Sequence, residues 1–337
     1  MHLLLLLVRL VVALLIVVTA IPAILALLGF AVPLFDIFNH LQLLLFLGTI
    51  VALILALLVR VPAPLIAMTA VGLLASAWTF VPEWSSSLMP RPALPTDGRP
   101  VLKVMTHNIF GLNTDMERAA QAIFTEDPDI LALQEYFPEQ SPLDALIKPR
   151  YPYVVRCEGG KRANIAVYAK IPFDKEMTAE DCPTDLGQQR TAHIVARFTL
   201  ADGTQFSVLT THFDWPFPIE RQQDELKTIE DAVAGVSGPL LVVGDFNSTP
   251  WSYAMKGFEA TTGLRRDTRA LLTYPLMFTV PQRISRNGLL RFLPFLPLDQ
   301  VFDRGISVHE LHTGPQTGSD HLPVVFSFSV DSLDAVH

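Results

Sequence analysis

Asp245 and Asn247 stand two residues apart in Gly244-Asp245-Phe246-Asn247-Ser248-Thr249-Pro250, directly after the apolar run Pro239-Leu240-Leu241-Val242-Val243. A short apolar run of this kind forms a buried strand, which puts both polar residues at its C-terminal mouth. Alternation along an extended segment points their side chains the same way and turns Phe246 into the core. A carboxylate beside a carboxamide in a tight turn can orient a water and hold a phosphoryl oxygen. Taken alone, G-D-x-N is equally an Asx-rich turn closing a strand.

The elements around this turn repeat the pattern. Val101 to Thr106 alternates as a strand and runs into His107-Asn108. Glu117 to Phe124 predicts a short helix, and Pro128 to Glu135 a turn into a buried strand that closes on a carboxylate. Strands ending on the oxygen donors Asn108 and Glu135 suit a hard divalent cation such as magnesium, with manganese as the substitute, rather than the Cys/His set of zinc. Ala163 to Lys170 predicts a further strand. Arg190 to Leu200 pairs with Gln205 to Thr211 across Asp202-Gly203, and the second strand closes on His212. Glu220 to Ala234 has helical periodicity, with Arg221, Gln222 and Asp224 expected on the solvated side. Asp299 opens a strand at Leu298 to Phe302, and Gly318-Ser319-Asp320-His321 leads into the last one. Solubility would scatter these polar residues, whereas a catalytic centre at one rim of a sandwich gathers them at strand ends. His193 in a strand, and His309 and His312 in a late surface-like segment, are expected to be structural or solvated.

The ordered set T-H-N-I, D-P-D-I-L-A-L-Q-E, N-I-A-V-Y-A-K, T-T-H-F, G-D-F-N-S-T-P, L-D-Q-V-F and G-S-D-H-L-P-V resembles the endonuclease/exonuclease/phosphatase superfamily over residues 101 to about 330. The resemblance implies a four-layered α/β sandwich. It implies Asn108 and Glu135 at a metal with Asp320 close by, and Asp245 as the group that aligns the attacking water or takes its proton. Asn247 and His212 would contact the phosphate, and His321, oriented by Asp299, would donate to the phosphate or the leaving group. Phe110 stands where some nucleases of the superfamily carry an acidic residue, and Asn164 and Ala169 replace a common Gly and Ser. The first departure argues against close kinship with abasic-site repair nucleases.

The 337 residues are 50% hydrophobic, and the apolar excess lies in the first eighty or so. Uncharged stretches at about 10–32, 41–59 and 65–81 are each long enough to span a bilayer. A cleaved signal peptide is the rival for the first, since Val18-Thr19-Ala20 ends it in small residues. Arg9 before the first span and Arg60 in the second loop, against Asp36 in the loop Pro33 to His40, put the N-terminus inside. The expectation is therefore a multi-pass protein of the cell (inner) membrane with its C-terminal domain on the extracytoplasmic side. Trp78 and Trp84 suit the interface at the outer end of the third span. Residues 82–100, rich in Pro and Ser, predict a linker; 101–330 form the phosphoesterase domain and 331–337 a tail. Cys157 and Cys182 can form a disulfide in an oxidising compartment or remain two buried thiols.

Removing Arg9, Arg60 and Asp36 from the 25 basic and 33 acidic residues leaves 23 against 32, a balance of −9 beyond the spans. A domain this acidic is a poor general polyanion binder. Anchor, orientation and charge favour a metal-dependent phosphoesterase acting on a lipid phosphate, with the bilayer and a phosphorylated substrate as partners and no protein partner. Arg283 to Leu296 mixes arginines with Phe and Leu and would suit a headgroup, or be an ordinary core-packed loop. The alternatives are a membrane-tethered nuclease, with Arg265, Arg266 and Arg269 tracking a nucleic-acid backbone, and an inactive binding module.

Overall fold

The computed structural model describes residues 2–158, 164–175, 177, 182, 193–279 and 289–331. The chain forms two units: Met1–Met89 with Ser248–Gly257, and Pro90–Asn247 with Phe258–His337.

The first unit contains α1 (His2–Ala26), the short α2 (Pro33–Asp36), a 3-10 turn over Ile37–Leu41, α3 (Gln42–Val59) and α4 (Ala63–Ser87). Three helical stretches, His2–Ala26, Pro33–Val59 and Ala63–Ser87, are long and apolar enough to cross a membrane. Leu10, Leu14, Leu58 and Leu74 are all more than half exposed, a surface suited to lipid rather than water. Between the helices lie Val12, Ile16, Ala20, Ala52 and Ala56. A Cβ on Gly72 would come within 2.6 Å of the Ala20 Cα, so glycine sets how closely α1 and α4 approach.

The helices depart from the expected boundaries. The first begins at His2 rather than Leu10, and the expected loop Pro33 to His40 is itself helical. Helix α4 runs through Pro82 to Ser87, into the expected linker. Trp84 stacks on Phe80 at 5.5 Å, and the hydroxyls of Ser85, Ser86 and Ser87 each donate to the carbonyl three residues back. These bonds satisfy the last turn locally.

In the second unit, β1 (Leu102–Asn108), β2 (Ile130–Gln134), β3 (Tyr153–Cys157), β4 (Ile165–Ala169), β12 (Ile306–Thr313) and β13 (Val324–Val330) form one sheet in the order β12-β13-β1-β2-β4-β3. A second sheet has the order β5-β6-β7-β11-β8, with β5 (His193–Thr199), β6 (Gln205–His212), β7 (Leu240–Asp245), β8 (Arg265–Arg266) and β11 (Asp299–Arg304). The small hairpin β9 (Met277–Thr279) and β10 (Leu289–Arg291) stands apart from both.

Strand alternation builds the layers. Val104, Ile130, Ala132 and Val167 pack with Ile194, Val208, Leu241, Val243 and Val301 of the other sheet. Their neighbours Met105, Leu131, Leu133 and Tyr168 face outward, against Ala119 and Ile123 of α5 (Met116–Glu126) and Leu143 and Ile147 of α6 (Pro142–Ile147). On the second sheet, Phe246 and Phe302 meet Phe258 of α8 (Tyr253–Thr262), with ring centroids 5.1 to 5.7 Å apart. Helix, sheet, sheet and helix are the four layers.

Helix α7 (Ile219–Ala234) corrects one expectation: Gln222 is buried with Leu226, Ile229 and Val233, and only Asp224 of the expected solvated trio is exposed. His309 is likewise buried, its Nε2 3.0 Å from Ser329 Oγ and its Nδ1 2.9 Å from the Pro92 carbonyl, while His312 is exposed. The Asp202-Gly203 turn joins β5 to β6 as the sequence predicts, and residues 190–192 of the expected strand lie outside the described residues. Cys157 and Cys182 are disulfide-bonded, with Cα atoms 5.6 Å apart.

Candidate active site

Two parallel strand pairs, β1 with β2 and β6 with β7, send their C-terminal ends to polar residues. His212 pairs in register with Asp245, and Asp245 with Asp299, so three neighbouring strands of the second sheet present these residues in one row. Gly244 permits the row: its φ is +148°, and a Cβ there would lie 2.0 Å from the Thr211 carbonyl oxygen. Asn108 ends β1, while Glu135 follows β2 at φ +52°. Phe110 and Asn247 also hold positive φ, at +63° and +47°. Left-handed backbone at three non-glycine residues of one locality persists only where the surroundings over-determine it.

Asp245 is the hub. Its Oδ1 accepts the Asn247 amide N–H (2.8 Å), and its Oδ2 accepts from Asn108 Nδ2 (2.9 Å) and, at 3.3 Å, from Asn247 Nδ2. The Nε2 atoms of His212 and His321 lie 3.6 and 3.7 Å from the same oxygen. Asn247 Nδ2 also donates to the Phe213 carbonyl (2.8 Å) and lies 3.5 Å from His212 Nε2. Burial pushes the Asp245 carboxyl up; His321 opposes the rise and Asp299 adds to it. A carboxyl raised toward neutrality is suited to accept a proton from water.

His321 Nδ1 is 2.8 Å from Asp299 Oδ2. Burial by itself would lower this imidazole, but the carboxylates of Asp299, Asp245 and Asp320 overcome it and hold the ring protonated. The imidazolium therefore presents Nε2–H as a donor. Asp245, Asp299 and His321 also offer ligand atoms within 4.8 Å of one another, a grouping that could hold a metal ion. The Nδ1 contact with Asp299 leaves Nε2 as the ring atom that faces Asp245, the arrangement of a donor dyad.

Oxygen donors gather on the first sheet. Glu135 Oε2 accepts from Gly111 N (2.8 Å), and its Oε1 is 3.8 Å from His212 Nε2. Burial raises the Asp320 carboxyl to about 6; His321 opposes that rise, and Glu135 and Asp299 add to it. Glu135 and Asp320, close enough to repel one another, are hard-oxygen groups that could hold magnesium or manganese; Asn108 turns Nδ2 to Asp245, and its Oδ1 accepts the Phe110 N–H (2.9 Å).

All eight residues singled out in the sequence, Asn108, Glu135, His212, Asp245, Asn247, Asp299, Asp320 and His321, thus meet in one locality. Two further residues join them. Ser319 donates to the Asn108 carbonyl (2.7 Å) and accepts from His321 N (3.0 Å), fastening the last motif to β1. It lies inside G-S-D-H, where a serine next to the aspartate was its only signal. Tyr274 packs on His321 with ring centroids 4.6 Å apart. Burial and the carboxylates of Asp320, Asp245 and Glu135 push its phenol up, keeping it a neutral donor. Nothing in the aperiodic stretch around Tyr274 marks it. Beside Ser319 opens a cavity of about 460 Å³ lined by Phe110, Leu112, Arg118, Leu276, Arg291 and Phe292, among others.

Residues 105–321 match the Endonuclease/Exonuclease/phosphatase family. A UPF0294 protein of Vibrio cholerae is 31% identical over 138 residues, 40% of this chain and 44% of that protein. The chain therefore matches under half the length of that relative. A UPF0294 protein of Vibrio campbellii is 24% identical over 235 residues, 68% of this chain and 78% of that protein. Among solved structures, an endonuclease/exonuclease/phosphatase family protein from Bacteroides thetaiotaomicron superposes with a TM-score of 0.55 at 17% identity, covering 71% of this chain and 98% of that one. D. rerio TDP2 complexed with single strand DNA product superposes with a TM-score of 0.52 at 15% identity, covering 68% and 99%. At these identities the likeness is one of fold.

Proposed function

Because the chain belongs to the Endonuclease/Exonuclease/phosphatase family, whose members hydrolyse phosphate and phosphodiester bonds, we propose that it is a membrane-anchored, metal-dependent phosphoesterase of a lipid phosphate. The observation that carries the reaction class is the row His212, Asp245, Asp299 with His321 seated on it. Asp245 takes the proton of the attacking water. His321, charged and aimed by Asp299, donates to the phosphate or the leaving oxygen, and His212 donates to a phosphate oxygen. Asn247 has its amide N–H groups on Phe213 and Asp245, so a phosphate oxygen replaces the longer of these bonds. A divalent cation held by Glu135, Asp320 and Asn108 would neutralise phosphate charge.

The lipid reading draws support from three features. The chain has three helices fit to cross a membrane. The cavity beside the site mixes apolar walls with Arg118 and Arg291, a lining suited to an amphipathic phosphoester. Phe292 and Leu293 are exposed, Leu293 at 87%, so this part of the Arg283 to Leu296 stretch is free to meet a bilayer; residues 283–288 lie outside the described residues. Against the nuclease alternative, Arg265 is paired with Asp303 and Arg266 with Glu259 rather than left to track a phosphate backbone. The disulfide supports a domain facing an oxidising, extracytoplasmic compartment.

The test is the full chain in nanodiscs with magnesium, offered lipid phosphodiesters and diphosphates, DNA, RNA and bis-p-nitrophenyl phosphate. The reading expects turnover of lipid phosphate and of the generic diester, silenced by chelator and restored by magnesium or manganese. Robust cleavage of DNA with no lipid turnover would transfer the assignment to a tethered nuclease.

A further inference from the structure

Asn247 is joined by a peptide bond to Ser248, the first residue of the Ser248–Gly257 segment that belongs to the membrane-spanning unit. Within that unit the segment is held by polar groups of the α2–α3 junction. Asp36, only 7% exposed, accepts the Tyr253 N–H (2.8 Å) on one carboxylate oxygen and the Ala254 N–H (3.0 Å) on the other. These are first-turn amides of α8, which have no carbonyl partner inside their own helix, and a carboxylate there also answers the helix dipole. His40 Nδ1 accepts the Thr249 N–H at 3.1 Å.

The holders are themselves held. Asn39 Nδ2 donates to Asp36 Oδ1 (2.8 Å) and to the Ala26 carbonyl (3.0 Å), and Gln42 Nε2 donates to Asn39 Oδ1 (2.8 Å). Tyr253 OH reaches the Leu27 carbonyl (3.2 Å), and Trp251 lies on Phe80 of α4, 5.6 Å between centroids. A carboxylate, two amides and an imidazole buried among apolar helices are costly unless satisfied. A simple tether has no use for them. Here they converge on the backbone that continues from Asn247.

We propose that Asp36 and His40 are positioning residues for the catalytic turn. Asn247 holds φ +47° and places Nδ2 beside Asp245 and His212. On its N-terminal side the turn is fixed by the Asn247 N–H to Asp245 Oδ1 bond; on its C-terminal side it is fixed by Asp36 and His40 through Thr249, Tyr253 and Ala254. Releasing the second anchor lets Asn247 relax to an ordinary backbone and carries its amide away from the reacting phosphate. This inference rests on the phosphoesterase reading of the site.

The test compares full-length wild type, Asp36→Ala, Asp36→Asn and His40→Phe in nanodiscs, with magnesium and the soluble substrate bis-p-nitrophenyl phosphate. A soluble substrate removes any effect of lipid access. Asp36→Ala should lower kcat roughly tenfold or more with KM nearly unchanged, since misplacement of a catalytic group acts on the chemical step. Asp36→Asn, which keeps an acceptor oxygen, should recover most of that loss, and His40→Phe should lower kcat more mildly. Amide hydrogen exchange over residues 245–254 should rise in Asp36→Ala, with the β-sheet peptides unchanged. A folded Asp36→Ala with kcat within twofold of wild type overturns the proposal. So does loss of activity and melting temperature together, without recovery in Asp36→Asn and without faster exchange at 245–254. Should Asp36→Ala not fold, His40→Phe decides, and an unchanged kcat there overturns the proposal. A wild type inactive on every phosphoester refutes the assigned function instead; the exchange measurement then decides alone, with unchanged protection counting against the anchor.

Discussion

Gly244→Ala is the sharpest test of how the fold builds the centre. The new Cβ would lie 2.0 Å from the Thr211 carbonyl oxygen and 3.0 Å from its carbon. Carbon and oxygen normally approach no closer than about 3.3 Å, so β7 must retreat from β6 by about 1 Å or more. Thr211 pairs with Gly244 and His212 with Asp245, so the retreat opens the row at the proposed base. A misplacement of ~1 Å at a reacting group costs on the order of 10²-fold in rate. The backbone at φ +148° adds strain of about 1–3 kcal/mol, or roughly 2–12 °C in melting temperature for a domain of this size. The assay is kcat/KM on bis-p-nitrophenyl phosphate beside a thermal melt, with Gly203→Ala as control. Gly203 has φ +88° but nothing within 4 Å of its would-be Cβ, so its substitution should cost stability and leave the rate alone. A folded Gly244→Ala enzyme with activity within about threefold of wild type would refute the claim that this close approach sets the site.

Asp245→Asn should lower turnover by ~10²-fold or more because it removes the proton acceptor, and it should lower the melting temperature as well, because its NH2 meets the donors of Asn108 or Asn247; near-normal rates in the folded variant would exclude Asp245 as the base. Asp303, 3% exposed, has its carboxyl raised to about 8 by burial and by its hydrogen bond to Asp267, against the pull of Arg265. A carboxyl raised on folding contributes stability that is full below its unfolded pKa of about 4 and is lost as pH rises through 8, so melting temperature should fall across that window. Asp303→Asn should flatten the slope, and an unchanged slope would contradict the assignment. Cys182→Ser opens a loop spanning 25 residues, which by chain entropy costs about 3.5 kcal/mol. Denaturant titration of oxidised and reduced protein should show a loss of that order, and equal midpoints would mean the disulfide constrains nothing.

The parts of the centre that could be read from sequence are those where chemistry and backbone pattern coincide. Asp245, Asp299 and His212 end or begin apolar strands, so the periodicity that located the strands also located them. Tyr274 could not be found this way. Its place beside His321 comes from long-range stitching, the Leu276 N–H to the Asp320 carbonyl and the Leu322 N–H to the Thr273 carbonyl, which leaves no local signature. His309 is expected from sequence to be structural or solvated, and only the fold decides for the first, by bringing Ser329 and Pro92 to it. Gln222 is misread from sequence: expected on the solvated side of α7, it is buried with Leu226, Ile229 and Val233.

The three apolar helices show the limit more strongly. Hydropathy located helices apolar enough to cross a membrane and read Arg9, Arg60 and Asp36 for a direction, treating Asp36 as a charge in a loop. In the folded unit that carboxylate is buried and bonded to amides 217 and 218 residues away. A hydropathy window averages over residue type, so it cannot ask where one polar group finds its partner, yet in an apolar setting that partner decides whether the residue is tolerated at all. The backbone tells a similar story. Phe110 and Glu135 hold left-handed φ, which their residue types rarely adopt, and Asn247, in the expected turn, does so too. Local propensity fails where the surroundings impose a conformation the residue would not choose, and such places are expected at functional sites. Asn247 combines both limits: a strained residue within the catalytic motif, continuous with a segment fixed by buried polar groups that composition assigns only to an anchor.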